Sequence, residues 1–494
     1  MLLTADLLFH YQRCNRRAFL DVEGDLSHRD PPSDYLLKLI QDSIANRKMA
    51  IASHPYERPT YAKGDWVAGA EATRQLMQQG VERIAQGVLM AAGEGGFTLV
   101  SQPDLLIKQP GESDFGDWIY TAADVRLGKR PKQEYQIALT FHIQLLAAVQ
   151  GAWPEVTWLI LREKGLYEVD LWETLPRLQE VLQDSMAMLS AEQPPEVFIA
   201  RNRCSLCHWF SHCYAIAQEQ NHLSLLPGVT PSRYRHLHDL NLTTVEAIAK
   251  ANPYKLAFLP GFGHEVAKKL VHQAQSTLHN RPLLGPVDAL PSPREVPTAP
   301  VELYFDIESE PELKLVYLHG VLVVNQRTRT ETFHPLLAED EASEEAIWHQ
   351  FLDLVWRYPN APIFHFCSYE VQTVKRLAEQ YGTPKHRVQP LLPRFVDLHE
   401  RVTRLVTLPI ENYALKSIAR WLGFDWRDSD ANGAQSVYWY AQWLRTRDRA
   451  FLDTIVRYNE DDCRATYLLK QWLADFLQEA TIETPVATLR AASL

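Results

Sequence analysis

Residues 301–310 read VELYFDIESE, a β-branched and aromatic run that closes on acids. Side chains two apart on a strand point to one face, so a strand through this run carries Asp306 and Glu308 to the same side, where both reach one metal pair. Carboxylates on a central strand are costly to bury unless a cation compensates them. The plainer reading ends the strand at Asp306 and leaves a solvated turn after it.

The residues downstream weigh against the plainer reading. LKLVYLHGVLVV and TETFHPLLA continue a meander, EEAIWHQFLDLVWRY has the spacing of an amphipathic helix, and PIFHF is a short buried strand leading into the helix SYEVQTVKRLAEQYG. DTIVRYNEDDCRATYLLKQWL reads as a helix with Tyr458 and Asp462 four apart on one face.

A strand Asp-x-Glu, an acid opening a later helix and Tyr-x3-Asp in a terminal helix resemble the DEDDy exonucleases of the RNase H-like fold, over most of 301–477. The resemblance implies that Asp306, Glu308, Glu370 and Asp462 hold two Mg2+ or Mn2+ ions while Tyr458 orients the attacking water. Glu370 stands where the family has Asp. Asp461 is expected on another helical face, as an exposed neighbour. Lys416, in NYALKSIARWLGF (412–424), either meets a phosphate or is solvated.

Working back from this run, RPLLGPVDALPSPREVPTAP (281–300) has six prolines in 20 residues and reads as a semi-extended linker. Before it, LLPGV at 225–229 is echoed by FLPGF at 258–262, and the helical patterns VEAIAKA and EVAKKLVHQA follow. Gly261 and Gly263 leave backbone N–H groups uncovered at a helix N-terminus. The pair resembles helix-hairpin-helix motifs, which implies that Gly261, Gly263, Lys268 and Lys269 grip nucleic-acid backbone without reading its sequence. Two plain helical turns are the alternative. The net charge is -11, yet residues 201–281 carry nine Lys/Arg against four Asp/Glu.

In the first 200 residues, EGGFTLVSQPDLLIK and DWIYTAADVRLGK read as strands bearing Asp104 and Asp124. Two carboxylates on adjacent strands bind a divalent cation, and the usual third member is a Lys two residues on. Together with RNRCSLCHWFSHC (201–213), these stretches resemble the RecB-type PD-(D/E)XK nucleases, closely so the bacterial RecB-like ones that carry a second, RNase H-like domain. The resemblance implies metal binding by Asp104 and Asp124, a catalytic position at Arg126, and a [4Fe–4S] cluster on Cys14, Cys204, Cys207 and Cys213 that joins the two ends of the domain. Zinc on the same thiolates and a redox dithiol at Cys204 and Cys207 are the alternatives.

Three departures point to a degenerate site. Arg126 replaces the Lys, KLIQDSIANRK lacks the His of the relatives, and Ala138 occupies a Gln position. Lys129 and Lys132 are the available substitutes. Cys367 and Cys463 read as packing residues.

A chain of 494 residues suggests about three domains. The expected fold class is multidomain α/β: a RecB-like, restriction-endonuclease-type core at 1–220, an all-α helix-hairpin-helix segment at 221–280, the linker at 281–300, and an RNase H-like domain of 3'-5' exonuclease type at 301–494. Six cysteines are too few for a disulfide framework. The N-terminus is not a secretory signal, and no run of about 18 apolar residues occurs. A cytoplasmic, metal-dependent nuclease without a membrane anchor is expected. Its partner is DNA or RNA in a role such as DNA repair, and the resemblance adds a helicase. A non-catalytic nucleic-acid-binding scaffold is the alternative.

Overall fold

The computed structural model describes residues 1–286, 292 and 295–491, with the backbone alone for 201, 202 and 481–491. The chain forms two compact units, Met1–Ile216 and Ala217–Leu494.

In the second unit a five-stranded sheet runs in the order Thr330–Leu337, Leu315–Asn325, Val301–Glu310, Ile363–His365, Phe395–Asp397. The first two pairings are antiparallel and the last two parallel. The strand Val301–Glu310 does not stop at Asp306, so Glu308 is a buried strand residue and the solvated turn is excluded. Strand alternation sends Leu303, Phe305 and Ile307 into a core with Trp348 and Phe351 of the helix Glu344–Trp356. Glu302, Tyr304, Asp306 and Glu308 take the other face, against the terminal helix Arg449–Ala491. Lys470 of that helix and Glu302 form a fully buried ion pair at 2.8 Å, and Glu302 also accepts from Tyr304 Oη and Gln326 Nε2. The helix is thereby fixed along the strand.

Residues 217–280 pack in this same unit. Thr230 caps the helix Pro231–Asp239 and Pro231 fills its first position. Arg233 then donates to the carbonyls of Gly228 and Gly261 at 2.8 and 2.9 Å, tying together the two Leu-Pro-Gly turns. The helix Gly263–His279 docks through Gln273, which donates to Leu408 O at 2.7 Å and accepts from Tyr413 Oη at 2.8 Å.

The semi-extended linker expected at 281–300 carries some regular pairing in its described part. Leu283–Leu284 pairs as a strand with Val406–Thr407, and Glu295 pairs with Arg404 at 2.7 Å. Residues 287–291 and 293–294 of that stretch lie outside the described residues.

The first unit has a five-stranded sheet ordered Arg83–Ala85, Leu105–Ser113, Gly116–Arg126, Trp158–Leu161, Gly165–Glu168. The one parallel pairing in it joins Gly116–Arg126 to Trp158–Leu161, and the largely buried helix Gln133–Gln150 makes the crossover between them. A three-stranded sheet holds Leu2–Thr4 beside Thr98–Ser101 and Leu89–Ala92. Among the described residues no helix is long and apolar enough to cross a membrane.

Candidate functional site

The central strand and the terminal helix of the second unit bring together Asp306, Glu308 and Asp462. One oxygen of each lies within 4.8 Å of the others, and among the described residues no other His, Cys, Asp or Glu triad is so close. Glu308 and Asp462 are buried and Asp306 is partly open. Burial, then mutual repulsion, pushes the Asp306 and Glu308 carboxyls well above the ordinary range, and burial raises Asp462 to about 7. Three acids that resist ionising together fit a multivalent cation with hard oxygen ligands, which removes the repulsion.

Tyr458 lies one helical turn before Asp462 and hydrogen-bonds to it. Burial and the neighbouring acids raise its phenol far above the usual value, so it keeps its proton. Glu370, second in the helix Tyr369–Gln380, is close enough to raise Asp306. Its own carboxylate is held by His365 Nδ1 at 3.2 Å and lies outside the close triad. The sharp turn before that helix uses Cys367 at a φ of +86°, whose N–H donates to Asp397 Oδ1 at 3.1 Å. Cys463 is fully buried in the core.

Two neighbours differ from expectation. Asp461 is not exposed: it is buried, and its carboxylate accepts from Arg427 N at 2.9 Å and Nε at 2.8 Å. Lys416 is not solvated: its ammonium lies over the rings of Trp426 and Tyr458 at 5.2 and 5.8 Å and donates to the Ala431 carbonyl. Burial lowers its pKa. Trp426, absent from the sequence reading, donates Nε1–H to Asp462 Oδ1 at 2.7 Å. No local pattern marks it, because the contact depends on how the chain folds back.

In the first unit Asp104 and Asp124 do face each other, with Asp104 N donating to Asp124 Oδ1 at 3.2 Å. Both acids, however, already have cationic partners. Arg47 of the helix Asp34–Ile51 pairs with Asp104 at 2.8 Å, and Arg126 and His142 meet Asp124 at 2.5 and 3.3 Å. The Arg126 guanidinium lies 5.8 and 5.3 Å from the rings of Phe9 and Tyr135, which stack on each other. Burial works against ionisation of Asp124, but His142 and Arg126 outweigh it and hold that carboxyl well below its usual range. Burial and the Asp124 charge push Asp104 up to about 6. Neither substitute lysine is placed at these acids: Lys129 pairs with Glu163 at 2.6 Å, and Lys132 lies over Tyr135. Ala138 is buried.

Cys14 caps the helix Asn15–Glu23, its Sγ accepting from Arg17 N at 3.4 Å. It lies close enough to Cys204, Cys207 and Cys213 for their charges to reinforce the burial that pushes the Cys204 thiol to about 11. No three of these thiols fall within 4.8 Å of one another. Asp21, another residue the sequence did not single out, ties the two chain segments together. Its Oδ1 accepts from His208 Nε2 at 2.7 Å and Trp209 Nε1 at 2.8 Å, and its Oδ2 faces His10 at 3.1 Å and Arg17 at 3.5 Å.

In the helical segment, Gly261 and Gly263 adopt φ of +77° and +67°, with open space where a side chain would stand. Lys269 is exposed and Lys268 half-buried. Phe258 and Tyr254 are 85% and 61% exposed, both edge-on to His264.

The family described as the RNase H superfamily matches residues 303–474, which span the sheet and the acid-bearing part of the terminal helix. Domains of this superfamily usually hydrolyse nucleic-acid phosphodiesters and typically use divalent metals, so the match suggests a nuclease-type domain over these residues. No curated protein matches the chain.

Proposed function

We propose that the protein is a metal-dependent exonuclease acting on DNA or RNA, with the chemistry in the second unit. The observation that carries this reading is the close triad Asp306, Glu308 and Asp462, with no arginine ion pair to it among the described residues and with the Tyr458 hydroxyl joined to it. Two Mg2+ or Mn2+ ions held by the triad, with Glu370 as a further ligand, supply Lewis-acid activation and charge neutralisation when bound. The residues do the rest. Tyr458 keeps its proton and orients the water that attacks the phosphodiester in line. Trp426 fixes one oxygen of Asp462, leaving the other to turn toward Asp306. Lys416 offsets part of the negative charge.

The first unit is read as a non-cleaving one. Asp104 is paired with Arg47 and Asp124 with Arg126, with His142 also against Asp124, and that donor set does not fit a further cation. Cys14, Cys204, Cys207 and Cys213, near enough for their charges to act on one another, are read as the thiolate set of a [4Fe–4S] cluster, with zinc on the same four as the alternative. The exposed Phe258, the open turn at Gly261 and Gly263, and Lys269 support nucleic-acid contact in the helical segment.

The test is release of nucleotides from end-labelled single- and double-stranded DNA and RNA with Mn2+. Asp306→Ala is expected to abolish release while strand affinity stays within about twofold, and Tyr458→Phe to slow it less, since a hydroxyl and not a ligand is lost. Asp104→Ala should leave release unchanged. Loss with Asp104→Ala and none with Asp306→Ala would reverse the assignment of the two units.

A further inference from the structure

Gly320 interrupts the strand Leu315–Asn325, whose other residues are apolar or aromatic over most of its length. Glycine inside a strand weakens it unless something approaches the backbone closely. In the register of the sheet Gly320 stands directly opposite Asp306, on the face covered by the terminal helix. The approaching group is Asn459 of that helix. A Cβ on Gly320 would fall onto Asn459 Oδ1 and within 2.7 Å of its Cγ.

Asn459 is fully buried, and its Nδ2 donates to Asp306 Oδ2 at 2.6 Å. The same side chain lies close enough to Glu308 to favour its charged form. Its Oδ1 is buried without a hydrogen-bond partner and faces the bare Gly320 α-carbon. A buried amide oxygen without a partner is a net cost, so the side chain is not placed there for its own stability. What the placement achieves is a donor set between two strand acids that repel each other.

The geometry points to Asn459 as a positioning residue for the metal site, admitted by the missing side chain of Gly320: its amide holds Asp306 and Glu308 at ligand spacing before any ion arrives. This rests on the metal-dependent reading above. Asn459 touches the ligands and not the reacting atoms. It keeps two self-repelling carboxylates from turning apart, so the site needs less reorganisation when a cation binds. Gly320 acts one step further out, by leaving room for the amide.

The two residues make a coupled prediction, read as Mn2+ uptake by metal-stripped full-length protein, followed through the loss of the free-ion EPR signal without substrate. Asn459→Ala is expected to weaken Mn2+ binding by about 10-fold or more, as removal of partners that orient metal ligands does. Gly320→Ala is expected to do the same by displacing the amide, and in the Asn459→Ala background to cost nothing further. If Gly320→Ala folds only alongside Asn459→Ala, that reports the steric coupling alone, and Mn2+ uptake by the Asn459→Ala chain decides the role. A packing role alone would lower the melting temperature of the metal-free chain and leave Mn2+ affinity unmoved, which overturns the inference. Equal losses from Gly320→Ala in both backgrounds also overturn it. A wild-type chain that takes up no Mn2+ instead overturns the metal reading itself, so the two failures are told apart.

Discussion

His319 lies on the face of the central sheet opposite the acids, fully buried among Phe305, Phe351 and Trp348, with neither ring nitrogen partnered. Burial pushes it from its usual 6.5 to about 3. The folded protein therefore keeps a neutral ring while the unfolded chain takes up a proton below about pH 6.5. Stability from this residue is complete above pH 6.5 and declines as pH falls toward 3, by on the order of 5 kcal/mol in total. In urea denaturation followed across that window, His319→Phe is expected to flatten the slope whatever it does to stability at pH 7. An unchanged slope would mean that the ring is protonated in the fold. At this scale the sequence reveals what period conveys and little else. Asp306 and Glu308 two apart, and Tyr458 and Asp462 four apart, could be placed on common faces from spacing. Trp426, Arg47 and Asp21 could not, because each meets its partner only after distant segments fold together. The glycine in LVYLHGVLVVN was a usable signal for Asn459, since a gap in an apolar strand marks a close neighbour.

The terminal helix is held to the central strand at two places along its length. Near the site its Asn459 reaches Asp306, and further on Lys470 meets Glu302 inside the core. Removing one member of a buried pair leaves the other as an uncompensated charge. Lys470→Met is therefore expected to cost about 3–5 kcal/mol in denaturant unfolding. Replacing Glu302 as well would leave Tyr304 Oη and Gln326 Nε2 without their acceptor. The helical segment offers a different prediction. Arg233 makes its two turns a single body, so an exposed ring and cation on one of them can be changed without loosening the other. Phe258→Ala is expected to weaken single-strand affinity by about 10-fold, the loss of one stacked base. Lys268→Glu with Lys269→Glu should weaken binding across all sequences and flatten its salt dependence. Affinity unmoved by either would take the nucleic-acid grip away from this segment. The helices here were legible from their caps and apolar spacing. The docking of Gly263–His279 through Gln273, and the strand pairing inside the proline-rich stretch, were not, because proline content describes a backbone's stiffness and not what it lies against.

On the scale of the molecule, the proposed division of labour predicts that a cluster in the first unit and a metal site in the second can be removed separately. Cys14→Ser should bleach the visible absorption of anaerobically purified protein while leaving Mn2+-dependent nucleotide release in place. Stoichiometric zinc without iron would replace the cluster assignment by its alternative. The broad α/β architecture followed from strands and helices whose periods are local, whereas the charge state of the first unit's acid pair depended on Arg47 and His142, which no motif connects to Asp104 and Asp124. The Asp21 tie has a consequence in time. Its partners His208 and Trp209 lie 187 and 188 residues further along the chain. A ribosome adding about 5–20 residues per second leaves the first helices waiting roughly 10–40 s for them. Through that interval Cys14 is a nascent thiol without its neighbours, and the first unit closes only as a late event of its own synthesis.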